Sequence, residues 1–468
     1  MLLVSEADMA GPYRPPAPEP QQGRPGLIRL LATLKRNPLE CWSEEFFEQP
    51  VARVRLPFLE ALLLHDPAAI KHVLVDNAAN YRKDPIQRRI LATGLSDGLL
   101  SVEGDRWEAQ RRTLAPLFAR RTVASFADAM LKAVAWLTDR WHDLASGSTI
   151  DVAAEFTLLT LNVLALTIFA DGIGGDFDEF GAAMRAYFGC IGRIGALDLL
   201  GLPDYVPRPG RKRLRRTMSY FEGVIDAIIA ARRRRLDSPA DSTAPEDLLT
   251  LLLRALDPSS GQSMSPAEVR SNILTFLSAG HETTANTLTW SAFLLSQSPY
   301  WCARVREEAD AELPDHRSGL MDRLIVTKAV IDEALRLYPP IAALSRSPAE
   351  ADVIGDLKVT PRSLIVIAPY ILHRHRRLWE RPDIFDPSRF LPAAKANIPR
   401  FAYMPFGAGP RTCIGSSFAS QEATLVLATL VHRFDMQLLP GAHVWPLQKI
   451  TLRPAHGLPM RITPRSAA

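Results

Sequence analysis

One cysteine in a turn-rich loop constrains this chain more than any other feature: Phe406-Gly-Ala-Gly409-Pro-Arg411-Thr-Cys413-Ile-Gly415, with a long apolar helical pattern from Phe418 to about Phe434 directly behind it. A thiolate has to be stabilised, and a cysteine at the start of a helix receives that from free backbone N–H groups and the helix dipole. Gly409 and Gly415 allow a tight turn and a close approach to a flat partner. Phe406 can shield the sulfur from water, and the guanidinium of Arg411 can pair with a carboxylate. A sulfur anion presented this way suits the iron of a porphyrin, pushing electron density toward bound oxygen.

The other cysteines, Cys41, Cys190 and Cys302, are scattered and lack such a setting. They read as core or surface thiols of a protein kept in a reducing compartment, not as a disulfide framework. With 55 basic against 51 acidic residues and a net charge of +4, the chain is no bulk nucleic-acid binder, although a basic patch can still steer an acidic partner. The runs Arg211–Lys212–Arg213 with Arg215–Arg216, and Arg232–Arg235, bracket one helical pattern and read as solvated helix ends.

No stretch of about twenty apolar residues is present to span a membrane, and Met1–Val4 is too short for a signal-peptide core. Residues 1–25 read as a disordered Pro-rich tail and 26–468 as one domain. Leu27, Leu30, Leu31 and Leu34 make the next stretch amphipathic. Its apolar stripe is expected to pack on the body and not to lie on a membrane surface.

Val51–Leu56 and Ala61–His65 read as a hairpin and Leu364–Ala368 as a further strand. Long 3.6-residue periodicities cover Trp107–Ala119, Asp151–Phe169, Met218–Arg235, Ala267–Gln297 and Val330–Leu337. Pro339–Pro340 ends the last of these. The expected fold class is mainly α with small β-sheets.

Inside Ala267–Gln297 stands Phe276-Leu-Ser-Ala279-Gly280-His281-Glu282-Thr283-Thr284. Glycine there costs about 1 kcal/mol relative to alanine, and threonine hydroxyls compete for backbone carbonyls. A helix that breaks local rules in this way is expected to serve function. Two other patterns fail. Gly407-Ala-Gly409 lacks the third glycine of a dinucleotide fingerprint, and His281-Glu282 meets Ala285 where a zinc protease needs histidine. Further along, Glu333-Ala-Leu-Arg336 places acid and base on one helix face, and Pro387-Ser-Arg389-Phe390 follows.

Taken in this order, the motifs resemble those of the cytochrome P450 superfamily over essentially the whole chain from about Pro25 to Pro464. The cysteine segment matches F-x-x-G-x-R-x-C-x-G, the helix matches A-G-x-E/D-T-T, and E-x-x-R with P-x-R-F match too, Ser388 replacing a common glutamate. The resemblance implies a triangular, mainly helical prism, with haem b (iron protoporphyrin IX) between the helix of Thr283 and the loop of Cys413. Cys413 would be the iron ligand, and Phe406, Gly409, Arg411 and Gly415 would contact the cofactor. Trp107, Arg111 and Arg346 would bind propionates, Ala279 and Gly280 would leave room for dioxygen, and Glu282 and Thr283 would relay protons. Glu333, Arg336 and Arg389 would form a buried network under the cysteine loop.

The reaction implied is insertion of one atom of O2 into a hydrophobic small molecule such as a terpenoid, fatty acid or aromatic compound. Electrons from NAD(P)H would arrive through a separate ferredoxin or flavodoxin with its reductase, docking at Arg111, Arg112, Arg120 and Arg121. The pocket is expected from Ile86–Leu100, Phe188–Leu202, Phe276, Ala279 and Ile341–Leu344, with Ile341 and Leu344 as wall residues. A cytoplasmic monomer without a transmembrane anchor is expected. A peroxygenase or isomerase on the same fold is the alternative, and a non-catalytic haem or gas-binding protein a further one.

Overall fold

The structure is a computed structural model that describes residues 12–465 apart from 24–25, 57–58, 86, 89–96, 171, 173–179, 182, 185–210, 239–243, 315–318 and 362. The expected pocket stretch Phe188–Leu202, most of Ile86–Leu100 and Cys190 lie outside the described residues. The chain divides into two compact units.

The first unit, residues 1–82, 134–157 and 283–468, contains every described strand. Strands β1 (Val51–Leu56) and β2 (Leu59–Leu64) form the expected hairpin, pairing Val51 with Leu64. With β3 (Tyr81–Arg82), β5 (Leu344–Pro348) and β8 (Ser363–Ile367) they make a five-stranded sheet in the order β1-β2-β8-β5-β3. Alternation turns Leu62, Leu64, Ile365 and Ile367 into one core with Ile70, Val73 and Met404. Met404 therefore ties the segment leading to Cys413 to the sheet. A three-stranded sheet orders β4 (Ser148–Asp151), β12 (Pro459–Pro464) and β9 (Phe434–Leu438) as β4-β12-β9. Two hairpins complete the β-structure: β6 (Asp352–Ile354) with β7 (Leu357–Val359), and β10 (Pro446–Gln448) with β11 (Leu452–Pro454).

The second unit, residues 83–133 and 158–282, is helical among its described residues. Its principal helices are Gly104–Leu114, Arg211–Leu236 and Leu248–Arg254. The helices Ala127–His142, Val152–Ile168 and Pro266–Ser296 have residues in both units, the last crossing between Glu282 and Thr283. The expected helix ends hold within a few residues, except that two helices start earlier: the one expected from Met218 begins at Arg211, and the one carrying Glu333 begins at Ile325.

Three expectations change. Residues 12–23, placed by composition in a disordered tail, are bonded to the rest of the first unit: the Phe385 N–H donates to Tyr13 O, Tyr338 Oη donates to Pro16 O at 2.7 Å, and the Gln21 N–H donates to Trp42 O. Prolines already hold the backbone extended, so docking orders little and few contacts suffice.

The helix Leu27–Arg36 also departs from expectation. Of the expected stripe Leu30 is half-buried, Leu31 and Leu34 are 48% and 38% exposed, and the Leu27 side chain lies outside the described set; Thr33 turns inward and Ile28 is 86% exposed. Polar bonds from its C-cap hold it: buried Asn37 donates to Pro446 O and accepts the Gln448 N–H.

The run Arg232–Arg235 is not wholly solvated. Arg232 is 3% exposed and donates to Asp247 Oδ1 and Thr250 Oγ1, both at 2.6 Å. The side chains of residues 211–215 lie outside the described set.

Candidate functional site

The cysteine loop is built by backbone bonds. The Gly407 N–H donates to Met404 O, Thr412 N–H to Gly409 O and Cys413 N–H to Phe406 O at 2.8 Å. Gly407 and Gly409 take φ of 72° and 73°, the left-handed region where a side chain is strained. At Gly409 a Cβ would also fall inside the Leu74 carbonyl oxygen, so only glycine fits. The loop opens into the helix Ser416–Arg433, placing Cys413 just before its N-terminus.

The Cys413 thiol is exposed, while residues 405–409, 411–412 and 414–417 are half-buried around it. Burial raises the thiol of Cys41 to about 11 and also raises that of Cys302, as suits inert cysteines. Among the described residues no three His, Cys, Asp or Glu side chains gather to hold a metal. A sulfur donor on a glycine loop suits a haem iron, which would need only this one side chain from the loop to hold it.

Beneath this loop the arginine network is nearly complete. Arg336 donates from Nε and Nη2 to the two oxygens of Glu333 at 2.6 and 2.8 Å. Its remaining bonds reach His373 O, Pro382 O and Ile384 O at 2.7–2.9 Å. All five guanidinium donors are thus used. Both side chains are 0% exposed. Glu333 also accepts the Asp386 N–H at 2.8 Å. Burial pushes its carboxyl up against the opposing pull of Arg336. Arg389 belongs less tightly: its Nε stands 3.8 Å from Glu333 and its Nη2 donates to Arg381 O.

Sequence reasoning missed the residue that joins this network to the loop. His373 gives its carbonyl to Arg336 and accepts the Met404 N–H through Nε2 at 2.9 Å. Its ring is fully buried and held neutral, its pKa lowered to about 3 mainly by desolvation. Trp379, under the Arg336 guanidinium, and Tyr403, whose hydroxyl donates to Asp332 O, were missed as well. In the run His373-Arg-His-Arg-Arg377 the local signal is that of a solvated basic stretch.

The oxygen-side motif occupies the helix Pro266–Ser296. Ser271–Leu277 and Thr284–Leu295 are buried, yet between them Ala279 is exposed and Ser278, Gly280, Glu282 and Thr283 are half-buried. His281 points into the core, 3% exposed, with its pKa lowered to about 4 by burial. In the second unit a Cβ on Gly280 would press on the Leu164 methyls at 3.2–3.3 Å, so helix packing also demands this glycine. Phe276 is 7% exposed and meets Phe118 edge-on at 5.0 Å, a packing role. Back-bonding of hydroxyls occurs at Thr287 and Thr289, which donate to Thr283 O and Ala285 O.

Trp107 and Arg111 sit one turn apart and half-buried on Gly104–Leu114 in the second unit. In the first, Arg346 lies on β5 opposite Ile365, Ile341 is 39% exposed and Leu344 half-buried. Buried Asn286, just beyond Thr283, donates to Thr451 Oγ1 at 3.0 Å, and Leu452 donates its N–H to Pro340 O. The β10–β11 hairpin is thereby fastened to both the Thr283 helix and the Ile341 segment, contacts that sequence reasoning did not find.

The family model for cytochrome P450 matches residues 18–459. This chain belongs to the cytochrome P450 family. It is 30% identical over 439 residues to cyclooctatin synthase of Streptomyces melanosporofaciens, covering 92% of each chain. It is 32% identical over 427 residues to cyclooctat-9-en-7-ol 5-monooxygenase of the same organism, covering 89% of this chain and 90% of the relative. The crystal structure of the cytochrome P450DA heme domain superposes with a TM-score of 0.80 at 25% identity, covering 97% of this chain and 99% of that one. The chain is thus a haem-dependent P450 monooxygenase, mainly helical with small sheets. Among the described residues no helix is long and apolar enough to cross a membrane.

Proposed function

We propose that this P450 hydroxylates or epoxidises a hydrophobic terpenoid, drawing electrons from NAD(P)H through a ferredoxin or flavodoxin and its reductase. The reading rests on one observation above all, the exposed Cys413 thiol in a loop that accepts only glycine at 409. The relative named for cyclooctat-9-en-7-ol supports the substrate class.

Haem, when bound, supplies the activation of dioxygen. The Cys413 thiolate would hold the iron, Phe406 would cover the sulfur, and Gly409 and Gly415 would keep the loop thin. Arg411, Arg346, Arg111 and Trp107 would hold propionates. Half-buried Glu282 is accessible to solvent and would take up protons, and the Thr283 hydroxyl would hold them at the oxygen side. Ala279 and Gly280 would leave space beside that hydroxyl. Ile341 and Leu344 would face substrate.

Electron delivery would use the cations Arg111, Arg112, Arg120 and Arg121. Arg112 already donates to Asp257 at 3.1 and 3.2 Å, so exposed Arg120 and Arg121 carry most of the attraction. A cytoplasmic monomer accords with this scheme.

The test is spectral. The reduced protein should bind carbon monoxide with a strongly red-shifted Soret band, lost in Cys413→Ala, and titration with a terpenoid library should perturb the ferric Soret band. Survival of the carbon monoxide band in Cys413→Ala defeats the ligand assignment. Product formation driven by peroxide but not by NAD(P)H with partners would favour the peroxygenase alternative.

A further inference from the structure

The helix Leu27–Arg36 has no role in the site described above, and its outer face is unusual. Ile28, Leu31 and Leu34 recur on one side and are exposed by 86%, 48% and 38%. Thr33 faces inward beside half-buried Leu30, while Ile28, Leu31 and Leu34 face the surroundings. Such a stripe exposed to water is unfavourable and marks a surface that meets something else.

Charge identifies the occupant. The helix carries Arg29, Lys35 and Arg36 and no acidic residue. Arg36 pairs with Glu40, and Arg29 and Lys35 are exposed beside the stripe. The Asn37 bonds to Pro446 O and Gln448 N fix the helix to the β10–β11 hairpin, whose turn exposes Lys449 and Ile450. The same pairing of apolar and cationic groups therefore continues on a second element held in register with the first.

We propose that this helix and hairpin turn dock on an anionic lipid surface, the apolar side chains entering the headgroup boundary and the cations lying at the phosphates. An interfacial helix binds through modest apolar area reinforced by attraction to anionic lipid. A stable protein dimer buries roughly 800 Å² per partner, far more than three side chains on a short helix present. The docking is peripheral and independent of the substrate proposed above.

The test uses full-length holoenzyme with phosphatidylcholine vesicles, with and without phosphatidylglycerol, read by co-flotation. The wild type should float with the anionic vesicles, weakly with the zwitterionic ones, and less as salt rises. Removing two cations in R29Q/K35Q should weaken partitioning roughly 25-fold, at about fivefold per cation. Ile28→Ser with Leu31→Ser should abolish flotation. Both variants should keep the wild-type melting temperature and carbon monoxide spectrum.

Equal flotation of wild type and I28S/L31S overturns the proposal, as does equal binding to both vesicle types. A wild type that does not float but shows a concentration-dependent dimer, lost in I28S/L31S, makes the face a contact between copies of this chain and also overturns it. Loss of reduction by a ferredoxin in R29Q/K35Q, without vesicle binding by the wild type, reassigns the face to a protein partner with the same consequence.

Discussion

The imidazole of His373 accepts the backbone N–H of Met404 at 2.9 Å, while the carbonyl of His373 accepts Arg336 at 2.8 Å. One residue thus carries the rigidity of a buried ion pair into the segment that presents Cys413. The arrangement depends on the ring staying neutral, because a protonated Nε2 cannot accept a hydrogen bond. His373→Leu leaves the Met404 N–H buried without an acceptor. An expected loss of about 1–3 kcal/mol should appear in urea unfolding, together with faster haem loss to apomyoglobin.

Arg336→Lys should be severe. Lysine offers three donors on a point charge where five bonds and a bidentate carboxylate must be met. Removing one partner of a buried pair costs about 3–5 kcal/mol, so little soluble, haem-loaded protein is expected. Arg389→Ala, at 3.8 Å from Glu333, should cost about 1 kcal/mol. Equal losses for the two variants, by soluble yield and urea midpoint, would contradict this ranking.

The two loop glycines separate strain from sterics. Gly407 has left-handed φ and open space around its Cβ position, so Gly407→Ala should cost about 1–2 kcal/mol. Gly409→Ala adds a collision with the Leu74 carbonyl and should cost about 3–5 kcal/mol. Thermal melts of the two holoproteins give the comparison.

Acid should destabilise this protein earlier than its carboxylates alone dictate. His65, His281 and His373 are buried, with pKa values lowered to about 3, 4 and 3 chiefly by desolvation. Unfolding releases each to titrate near 6.5, so the unfolded state binds more protons below that pH. Stability is then full above pH 6.5 and falls as the pH drops toward 4, by up to about 4 kcal/mol per pH unit for three groups. Asp310, lowered to about 2 first by its bonds with Arg465, adds its loss only below about pH 4. Urea midpoints measured from pH 8 to pH 5 should bend near 6.5, and His65→Gln should reduce the slope by about one third.

On the proposed reading, Thr283→Ala should leave the carbon monoxide spectrum and melting temperature unchanged while product per dioxygen consumed falls on the order of 10²-fold. Retained coupling, measured by product against NAD(P)H oxidation, would remove Thr283 from proton handling.

The sequence by itself determined the local rules. Helical and β periodicities set the mainly α class, the order of the motifs carried the family, and Gly409 was legible because φ and close approach are properties of the backbone at that position, whereas Gly415 takes an ordinary φ of −85° with open space at its Cβ. Glu333 and Arg336 were legible because three residues apart on a helix is a fixed geometry. Tertiary structure decided what composition cannot encode: the ring of His373 and the hydroxyl of Thr451 each meet partners far along the chain. The Pro-rich segment, the helix Leu27–Arg36 and Arg232 were misjudged for the same reason. A hydrophobic stripe or a charged run has an intrinsic preference for core or water, but whether it faces the body, a partner or Asp247 depends on which surfaces the rest of the chain leaves beside it.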